Sequence, residues 1–190
     1  FQTRHGMNQY IFGYGSLMNS ASRKLTGQTA EAIPATVEGL RRYWGKVGDY
    51  NTLSPLVVSR GQGEVNGVIL QVNDEELLEF DTRENGYQRV KLDRTCITSQ
   101  LSLSTEDTVW VYTKDYSEPP CTLSPIMQTY VDTVLSGCLE VSEDFAKQFI
   151  KQTIGWNFPI ENDRLDPKYK NYAGVNKHNY PLIDKLVQGG

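Results

Sequence analysis

A short apolar stretch near the start of the chain most constrains its fold. Residues 10–18 are Tyr-Ile-Phe-Gly-Tyr-Gly-Ser-Leu-Met, so an apolar run is interrupted by Gly13 and Gly15. The run predicts a first strand over residues 10–14 that ends in a tight turn. Because glycine adopts backbone conformations closed to other residues, the amides of the turn can converge on an oxygen or an anion. A plain glycine-rich bend at the end of a strand is the alternative.

Two phosphate-binding motifs do not fit this turn. A dinucleotide fingerprint needs a third glycine at the position of Met18, and a P-loop needs a Gly-Lys-Ser or Gly-Lys-Thr sequence that the chain lacks. The turn by itself therefore leaves the identity of its ligand open, and other parts of the chain must decide it.

Strand patterns dominate the first two thirds of the chain, and helix patterns follow. Beyond the first strand, the patterns predict strands over residues 37–47, 53–59, 65–72, 87–97 and 109–113. A turn is expected at Gly61-Gln-Gly, and Pro55 is expected near an edge or bulge because it cannot donate to a ladder. Residues 19–24 suit a short helix or a loop. This order predicts an α+β domain with helices packed on a sheet.

Three longer helices are predicted, each with a start signal. Asn73 caps a helix over residues 74–83, Ser124 followed by Pro125 begins a second, and Ser142 begins a third. The second helix carries a wide apolar stripe at helical spacing, which is expected to pack on the sheet. From Gly155 the sequence predicts an irregular tail that could wrap the body or meet a neighbour.

Length and charge favour a single domain with a small-molecule partner. The chain has 190 residues and a formal net charge of −4, and neither sign of charge forms a long block. Nucleic acid and anionic membranes are therefore not expected as partners. We expect one domain over residues 7–154, followed by the tail at residues 155–190. We also expect a monomer or weak homodimer.

The cytoplasm is the expected location. No apolar run approaches the roughly 20 residues that span a bilayer, and the start of the chain lacks the pattern of a signal peptide. The three cysteines, Cys96, Cys121 and Cys138, suit reduced structural thiols better than a disulfide framework or a metal site. Residues 1–6 are expected to be a tag remnant, because Phe-Gln ends a common protease site and Met7 is a plausible natural start.

Glu84 is the carboxylate whose position suggests chemistry. Leu77, Phe80 and Glu84 fall at i, i+3 and i+7, so Glu84 projects from the apolar side of the helix. Burial there would raise the pKa of the carboxyl and suit it to general acid–base work. A structural salt bridge with Arg83 or Arg89, or an exposed helix end, is the alternative.

Two motifs together give the chain a family resemblance. Phe12-Gly-Tyr-Gly-Ser-Leu17, followed by Phe80-Asp-Thr-Arg-Glu84-Asn-Gly-Tyr87-x-Arg89, resembles the γ-glutamylcyclotransferase-like superfamily, which includes AIG2-like and ChaC-like proteins. The Gly and Arg-Arg-Tyr-Trp of residues 37–44 also look like the family's second strand, and the similarity covers roughly residues 10–139. The first motif's Ser-Leu ending and the Arg-Glu-x-Gly-Tyr run lean toward ChaC-like members, whereas the later helices and tail look more like bacterial AIG2-like relatives.

The resemblance implies a fold and a reaction. The implied fold is a small, twisted mixed β-barrel of about six strands with packed helices. The implied reaction cyclises a γ-glutamyl amino acid, peptide or amine to 5-oxoproline and releases the amine, as in glutathione metabolism. Enzymes of this kind are described as lyases or transferases, and the reaction needs no metal and no cofactor. The chain offers no ligand cluster for a metal either, because His5 lies in the suspected tag and His178 is alone in the tail.

The resemblance also assigns roles to particular residues. Glu84 is the implied catalytic acid/base. The implied substrate-binding residues are Gly13, Tyr14, Gly15, Ser16, Leu17, Tyr87, Arg89 and Tyr112. The three tyrosines could equally be packing aromatic surface, and Arg89 could pair with a substrate carboxylate or with Glu84.

Two other functions compete with this reading. A non-catalytic binding or regulatory module would keep the pocket and bind ligand without turnover. A serine hydrolase would use Ser16 as its nucleophile, but the turn lacks the Gly-x-Ser-x-Gly elbow and no plausible catalytic histidine accompanies it.

Overall fold

The computed structural model describes residues 7–47 and 53–190, so the suspected tag at residues 1–6, which includes His5, lies outside the described residues. The strands are β1 (Gln9–Gly13), β2 (Ala32–Trp44), β3 (Leu56–Val72), β4 (Gln88–Leu92), β5 (Ile97–Ser99), β6 (Thr108–Thr113), β7 (Ile126–Met127), β8 (Thr153–Ile154) and β9 (Ile160–Glu161). The α-helices are α1 (Ser20–Leu25), α2 (Asp74–Arg83), α3 (Gln128–Val141), α4 (Glu143–Lys151) and α5 (Tyr180–Gln188).

The main sheet is mixed, and the first strand lies inside it. Its order is β4-β6-β1-β3-β2-β5, with β8 beside β2. Strand β1 pairs antiparallel with β3 and parallel with β6. The glycine turn therefore leaves from the middle of the sheet. The predicted α+β class is confirmed.

The expectation of a closed barrel is wrong. Within the described residues, the terminal strands β4 and β5 do not pair with each other. Closure needs both edge strands to supply a continuous ladder. Strand β5 has only three residues, and its described pairing is to β2. The sheet therefore stays open.

The turn predicted at Gly61-Gln-Gly is also wrong. Strand β3 continues through it as one strand of 17 residues. A Cβ atom at Gly63 would lie 2.6 Å from the backbone oxygen of Leu40, so the glycine permits close approach of β2 rather than a reversal. Pro55 lies just before β3 begins, where no ladder bond is required of it.

The predicted strand over residues 87–97 is interrupted. Strand β4 ends at Leu92, a 3₁₀ turn covers Arg94–Cys96, and β5 follows. The Asp93 side chain accepts a hydrogen bond from the amide of Thr95 and so starts the turn. The alternation of apolar and polar residues predicts a continuous strand and gives no sign of this 3₁₀ turn.

Helices α2 and α4 begin where the sequence predicts. Asn73 and Glu76 form a reciprocal capping box on α2, and the Ser142 side chain accepts from the amide of Phe145 at the start of α4. Helix α3 begins later than predicted. Ile126 and Met127 instead form β7, which pairs with β9, so the helix starts at Gln128.

A distant carboxylate caps α3. Asp163 accepts hydrogen bonds from the amide and the hydroxyl of Thr129, and it is buried. A carboxylate at a helix N-terminus satisfies free amides and the helix dipole. Because Asp163 is 34 positions away in sequence, local capping rules pointed to Ser124 instead.

The residues after Gly155 are not irregular throughout. They contain β9 and α5, and α5 places Ile183 and Leu186 in a core with α3 and α4. That core also packs on one face of the sheet. A second core of sheet residues lies apart from it, and Ile11, Val72, Leu77, Phe80 and Tyr112 form a third under α2. Cys138 is buried, whereas Cys96 and Cys121 are half-buried, and all three are free.

No helix in residues 7–47 or 53–190 is long and apolar enough to cross a membrane.

Gly137 allows α3 to contact the glycine turn. A Cβ atom at this position would lie 2.6 Å from the backbone of Met18 and Asn19. We expect Gly137→Ala to lower the free energy of unfolding by about 1–3 kcal/mol, although alanine is favoured in an unconstrained helix. Denaturant unfolding measures this.

Ser136→Ala is the matched control for that change. The Ser136 hydroxyl is buried and has no hydrogen-bond partner among the described residues. Its removal is expected to leave stability unchanged or slightly higher. Equal stability of Gly137→Ala and the wild type would contradict the close-contact argument.

Candidate active site

A cavity of about 480 Å³ lies where the end of β1 meets the ends of other elements. It is bounded by the turn after β1, by α1, by the end of α2, by β6, by α3 and by a segment near the C-terminus. Its lining residues are Ile11, Phe12, Gly13, Tyr14, Gly15, Ser16, Leu17, Ser22, Arg23, Thr26, Pro55, Leu56, Phe80, Arg83, Glu84, Tyr87, Tyr112, Tyr130, Tyr169, Lys170 and Asn171.

The glycine turn forms one wall of this cavity. After Gly15 the chain enters a 3₁₀ turn over Ser16–Met18, whose first amides have no carbonyl partner within the turn. A Cβ atom at Gly13 would lie 2.7 Å from the Leu17 side chain, and one at Gly15 would lie 3.0 Å from the Tyr130 hydroxyl. A side chain at Gly13 would therefore clash with Leu17, whereas one at Gly15 would crowd the Tyr130 hydroxyl.

A buried cation supports the turn from within the protein. Arg42 on β2 is fully buried, and its guanidinium donates to the backbone oxygens of Tyr14 and Asn66 at 3.2 and 2.6 Å. It also donates to the Asn66 side chain and to the Thr153 hydroxyl. The carbonyl of Tyr14, in the middle of the Gly-Tyr-Gly sequence, is therefore held in one orientation.

Glu84 faces the same cavity from the end of α2. The amide of Glu84 donates to the Phe80 carbonyl at 2.8 Å, which fixes the residue as the C-cap of the helix. Phe80 is buried beneath it, so the helix end is held against the sheet. Gly86 then adopts a φ of +98°, which suits glycine and turns the chain so that Tyr87 also lines the cavity.

Neither salt bridge considered for Glu84 is found in the described parts of the chain. The Arg83 guanidinium lies over the Phe80 ring, 4.5 Å from its centroid, and Arg89 binds Asp81 at 2.8 Å. Burial raises the pKa of the Glu84 carboxyl above its usual value, and the nearby Arg83 cation opposes this by a smaller amount. A half-buried carboxyl without an ion-pair partner is suited to act as a general acid or base.

Tyr14, Tyr87 and Tyr112, the three cavity tyrosines predicted from the sequence, have hydroxyls that differ in availability. Tyr14 donates to the Tyr112 carbonyl at 2.8 Å, and Tyr112 donates to Asp81 at 2.7 Å. Burial raises the pKa of all three hydroxyls, so they stay protonated at neutral pH. Of these three hydroxyls, only that of Tyr87 has no hydrogen-bond partner within residues 7–47 and 53–190. The Tyr87 hydroxyl is therefore available to a ligand.

Comparison with known proteins identifies the family of the chain. Residues 11–129 match the family described as gamma-glutamyl cyclotransferase, AIG2-like. The chain belongs to this family. The resemblance stated from the two motifs is therefore confirmed. A search of curated protein sequences gave no match.

Solved structures share the fold of this AIG2-like chain at low sequence identity. One described as gamma-glutamyl cyclotransferase, with no organism in its description, is 17% identical with a TM-score of 0.60, and the match covers 96% of this chain and 99% of that one. The uncharacterized human protein loc79017 has 17% identity, a TM-score of 0.61 and the same coverage. YkqA from Bacillus subtilis has 17% identity and a TM-score of 0.60, and 81% of this chain matches 56% of YkqA.

The cavity of this AIG2-like chain brings together most residues proposed from the motifs. Glu84, Tyr87, Tyr112 and the turn residues Gly13 to Leu17 all line it. Arg89 does not, because its guanidinium binds Asp81 and lies 4.2 Å from the centroid of the Trp110 ring. No histidine is among the lining residues to activate Ser16. The described residues contain no group of three or more His, Cys, Asp or Glu side chains that could hold a metal ion.

Sequence reasoning missed two parts of the site. Arg42 was predicted only to lie on a strand, and because Glu38 and Arg41 lie on the same stretch, its charge gave no sign of a buried hydrogen-bond network. The wall formed by Tyr169, Lys170 and Asn171 was also missed. These three residues were predicted only to lie in the irregular tail, and no local pattern places them beside α1.

Proposed function

We propose that this protein is a γ-glutamylcyclotransferase that converts a γ-glutamyl amino acid, peptide or amine into 5-oxoproline and the free amine. The observation that carries the proposal is that an unpaired, half-buried Glu84 carboxyl and the glycine turn line one cavity. Membership of the AIG2-like family supports the same reaction class. The partner is a small molecule.

The proposed chemistry uses the substrate's own α-amine as the nucleophile. Its ammonium form cannot attack, so Glu84 first removes a proton. The amine nitrogen then bonds to the γ-carbonyl carbon, and Glu84 delivers the proton it holds to the leaving nitrogen as the old C–N bond breaks. The ionised Glu84 then takes the second proton from the ring nitrogen and passes it to the released amine. The products are 5-oxoproline and the amine as its ammonium form, and Glu84 is ionised again.

The turn is proposed to orient the glutamyl group for ring closure. Holding an extended chain in a near-attack shape can contribute about 7–11 kcal/mol in favourable intramolecular reactions. The amides at the start of the Ser16–Met18 turn can donate either to the α-carboxylate or to the developing oxyanion. The protonated Tyr87 hydroxyl can donate to the same group.

One incubation tests the reaction and its substrate range. The protein is mixed separately with γ-glutamyl-alanine, glutathione and γ-glutamyl-lysine, and 5-oxoproline is measured with the released amine. Equal amounts of both products from at least one compound are expected. Binding of a compound without any product would instead favour a non-catalytic binding module.

The pH dependence should report the Glu84 carboxyl. Because the base must be ionised in the free enzyme and burial raises its pKa, kcat/KM is expected to fall as pH drops through a value above the ordinary glutamate pKa of 4.5. Arg83 favours the ionised form, so Arg83→Met should move this acidic limb to higher pH. A pH profile of kcat/KM measures both effects.

Salt provides the control for the Arg83 effect. Arg83 is exposed, so high ionic strength should shift the wild-type limb in the same direction as the mutation and should shift the mutant less. An unchanged limb in Arg83→Met would contradict assignment of the limb to Glu84.

A further inference from the structure

We infer that the group released from the substrate carries a carboxylate, which Lys170 binds at a cavity wall that Arg23 and Arg83 also make cationic. This inference rests on the proposed function and narrows its substrate class to γ-glutamyl amino acids and peptides. A γ-glutamyl amine without a carboxylate on its leaving group is then a poor substrate.

The charges of the lining residues favour an anionic substrate. Three cations, Arg23, Arg83 and Lys170, line the cavity with one carboxylate, Glu84. The glutamyl part of any substrate brings one α-carboxylate and one α-amine, so a γ-glutamyl alkylamine has no net charge. A carboxylate on the leaving group adds one negative charge. The cavity therefore favours that class electrostatically.

Lys170 is the cation most available to the leaving group. Arg23 donates to the Leu17 carbonyl at 2.6 Å and is buried, whereas Arg83 packs on the Phe80 ring next to Glu84. Lys170 has no ion pair or hydrogen bond to a side chain in the described residues. An unpaired ammonium at a cavity wall can bind a carboxylate without first breaking a protein contact.

The backbone that carries Lys170 is held on both sides. The carbonyl of Asn171 accepts from the Ser22 hydroxyl at 2.8 Å, and the carbonyl of Ala173 accepts from the Asn19 side chain at 3.0 Å. On the other side, the Tyr169 ring packs edge-on against Tyr130, with the centroids 4.9 Å apart. The segment therefore forms a fixed wall of the cavity.

An ion-pair network fixes the start of the same segment. Arg164 donates to the buried Asp132 on α3 through two nitrogens, at 2.8 and 2.9 Å, and to Asp184 on α5. Asp163 caps α3 and also accepts from the amide of Lys168 at 2.8 Å. These bonds hold the segment between α3 and α5, so the position of Lys170 is set by the fold.

Two substrates that differ only in the carboxylate test this inference. In γ-glutamyl-ethylamide, the leaving group is that of γ-glutamyl-alanine with the carboxylate replaced by hydrogen. We expect the wild type to prefer γ-glutamyl-alanine about tenfold in kcat/KM. Lys170→Met should lower the ratio by about two- to fivefold, the range for an exposed ion pair. Lys170→Glu should lower it further, and Lys170→Arg should largely retain it.

The matched control is Lys91→Met on β4. Lys91 is exposed and does not line the cavity, so its loss should leave the ratio at the wild-type value. A wild-type ratio near one would overturn the inference. A high ratio unaffected by Lys170→Met would overturn it as well.

Binding separates failure of this inference from failure of the proposed function. The dissociation constants of both compounds are measured by calorimetry on Glu84→Gln, in which turnover is removed. We expect Glu84→Gln to bind γ-glutamyl-alanine more tightly than γ-glutamyl-ethylamide. We also expect the double variant Glu84→Gln, Lys170→Met to bind γ-glutamyl-alanine more weakly than Glu84→Gln does. These two results would support carboxylate recognition even if no compound is cyclised. Equal binding of the two compounds overturns it whether or not 5-oxoproline forms.

Discussion

Replacing Glu84 with glutamine is expected to lower the rate of 5-oxoproline formation by about 10²–10⁴-fold, the usual contribution of a positioned acid–base group. The amide has nearly the same shape but cannot accept the proton of the α-amine or return it to the leaving nitrogen. The main loss should appear in kcat, because the glycine turn that is proposed to hold the glutamyl group is unchanged. Steady-state kinetics with the best substrate measures this.

Glu79→Gln is the matched control, because Glu79 is exposed on the same helix and does not line the cavity. It should retain the wild-type rate. Full turnover by Glu84→Gln would contradict the proposed mechanism. Comparable losses in both variants would point to a general effect on α2 rather than to proton transfer.

Replacing Arg42 with methionine is expected to lower the free energy of unfolding by about 3–5 kcal/mol. The change leaves the backbone oxygens of Tyr14 and Asn66 without their donor and removes a cation that lies 4.2 Å from the centroid of the Phe149 ring. Burial lowers the pKa of the Arg42 guanidinium to about 9, so the group stays charged at neutral pH. Denaturant unfolding measures the stability change.

Arg41→Met provides the comparison, since Arg41 is the exposed neighbour on the same strand. Its stability should stay within about 0.5 kcal/mol of the wild type. The folded fraction of Arg42→Met should also show a raised KM, because the carbonyl of Tyr14 no longer has its fixed donor. Wild-type stability in Arg42→Met would contradict the role given to this network.

Local sequence patterns predicted elements whose signals lie within a few residues. The capping box of Asn73 and Glu76 and the cap at Ser142 are short-range, and both helices begin as predicted. The predicted start of α3 was wrong because the residue that caps the helix, Asp163, comes from a distant segment. The turn predicted at Gly61 was wrong because glycine also allows a neighbouring strand to approach closely, and the sequence pattern does not show which strand that is.

The residues of the candidate site also divide into those that lie in a short sequence motif and those whose position depends on distant contacts. The glycine turn and Glu84 were recognisable because each lies in a short motif, and the cavity includes both. Arg89 belongs to the second motif but binds Asp81 instead, since a charged side chain pairs with whichever partner the fold brings near. Lys170 and Asn171 lie in no motif and reach the cavity only through contacts with α1 and α3.

The sequence by itself determined the family, the α+β class, the first strand with its glycine turn, and the helix that precedes Glu84. These features depend on periodicity, capping and short motifs, all of which act over a few residues. Only the tertiary structure decided that the sheet stays open, that Arg42 supports the turn, and that the segment around Lys170 forms a wall of the cavity. Each of these depends on contacts between residues far apart in the chain, whose partners are set by packing and hydrogen-bond satisfaction across the whole fold.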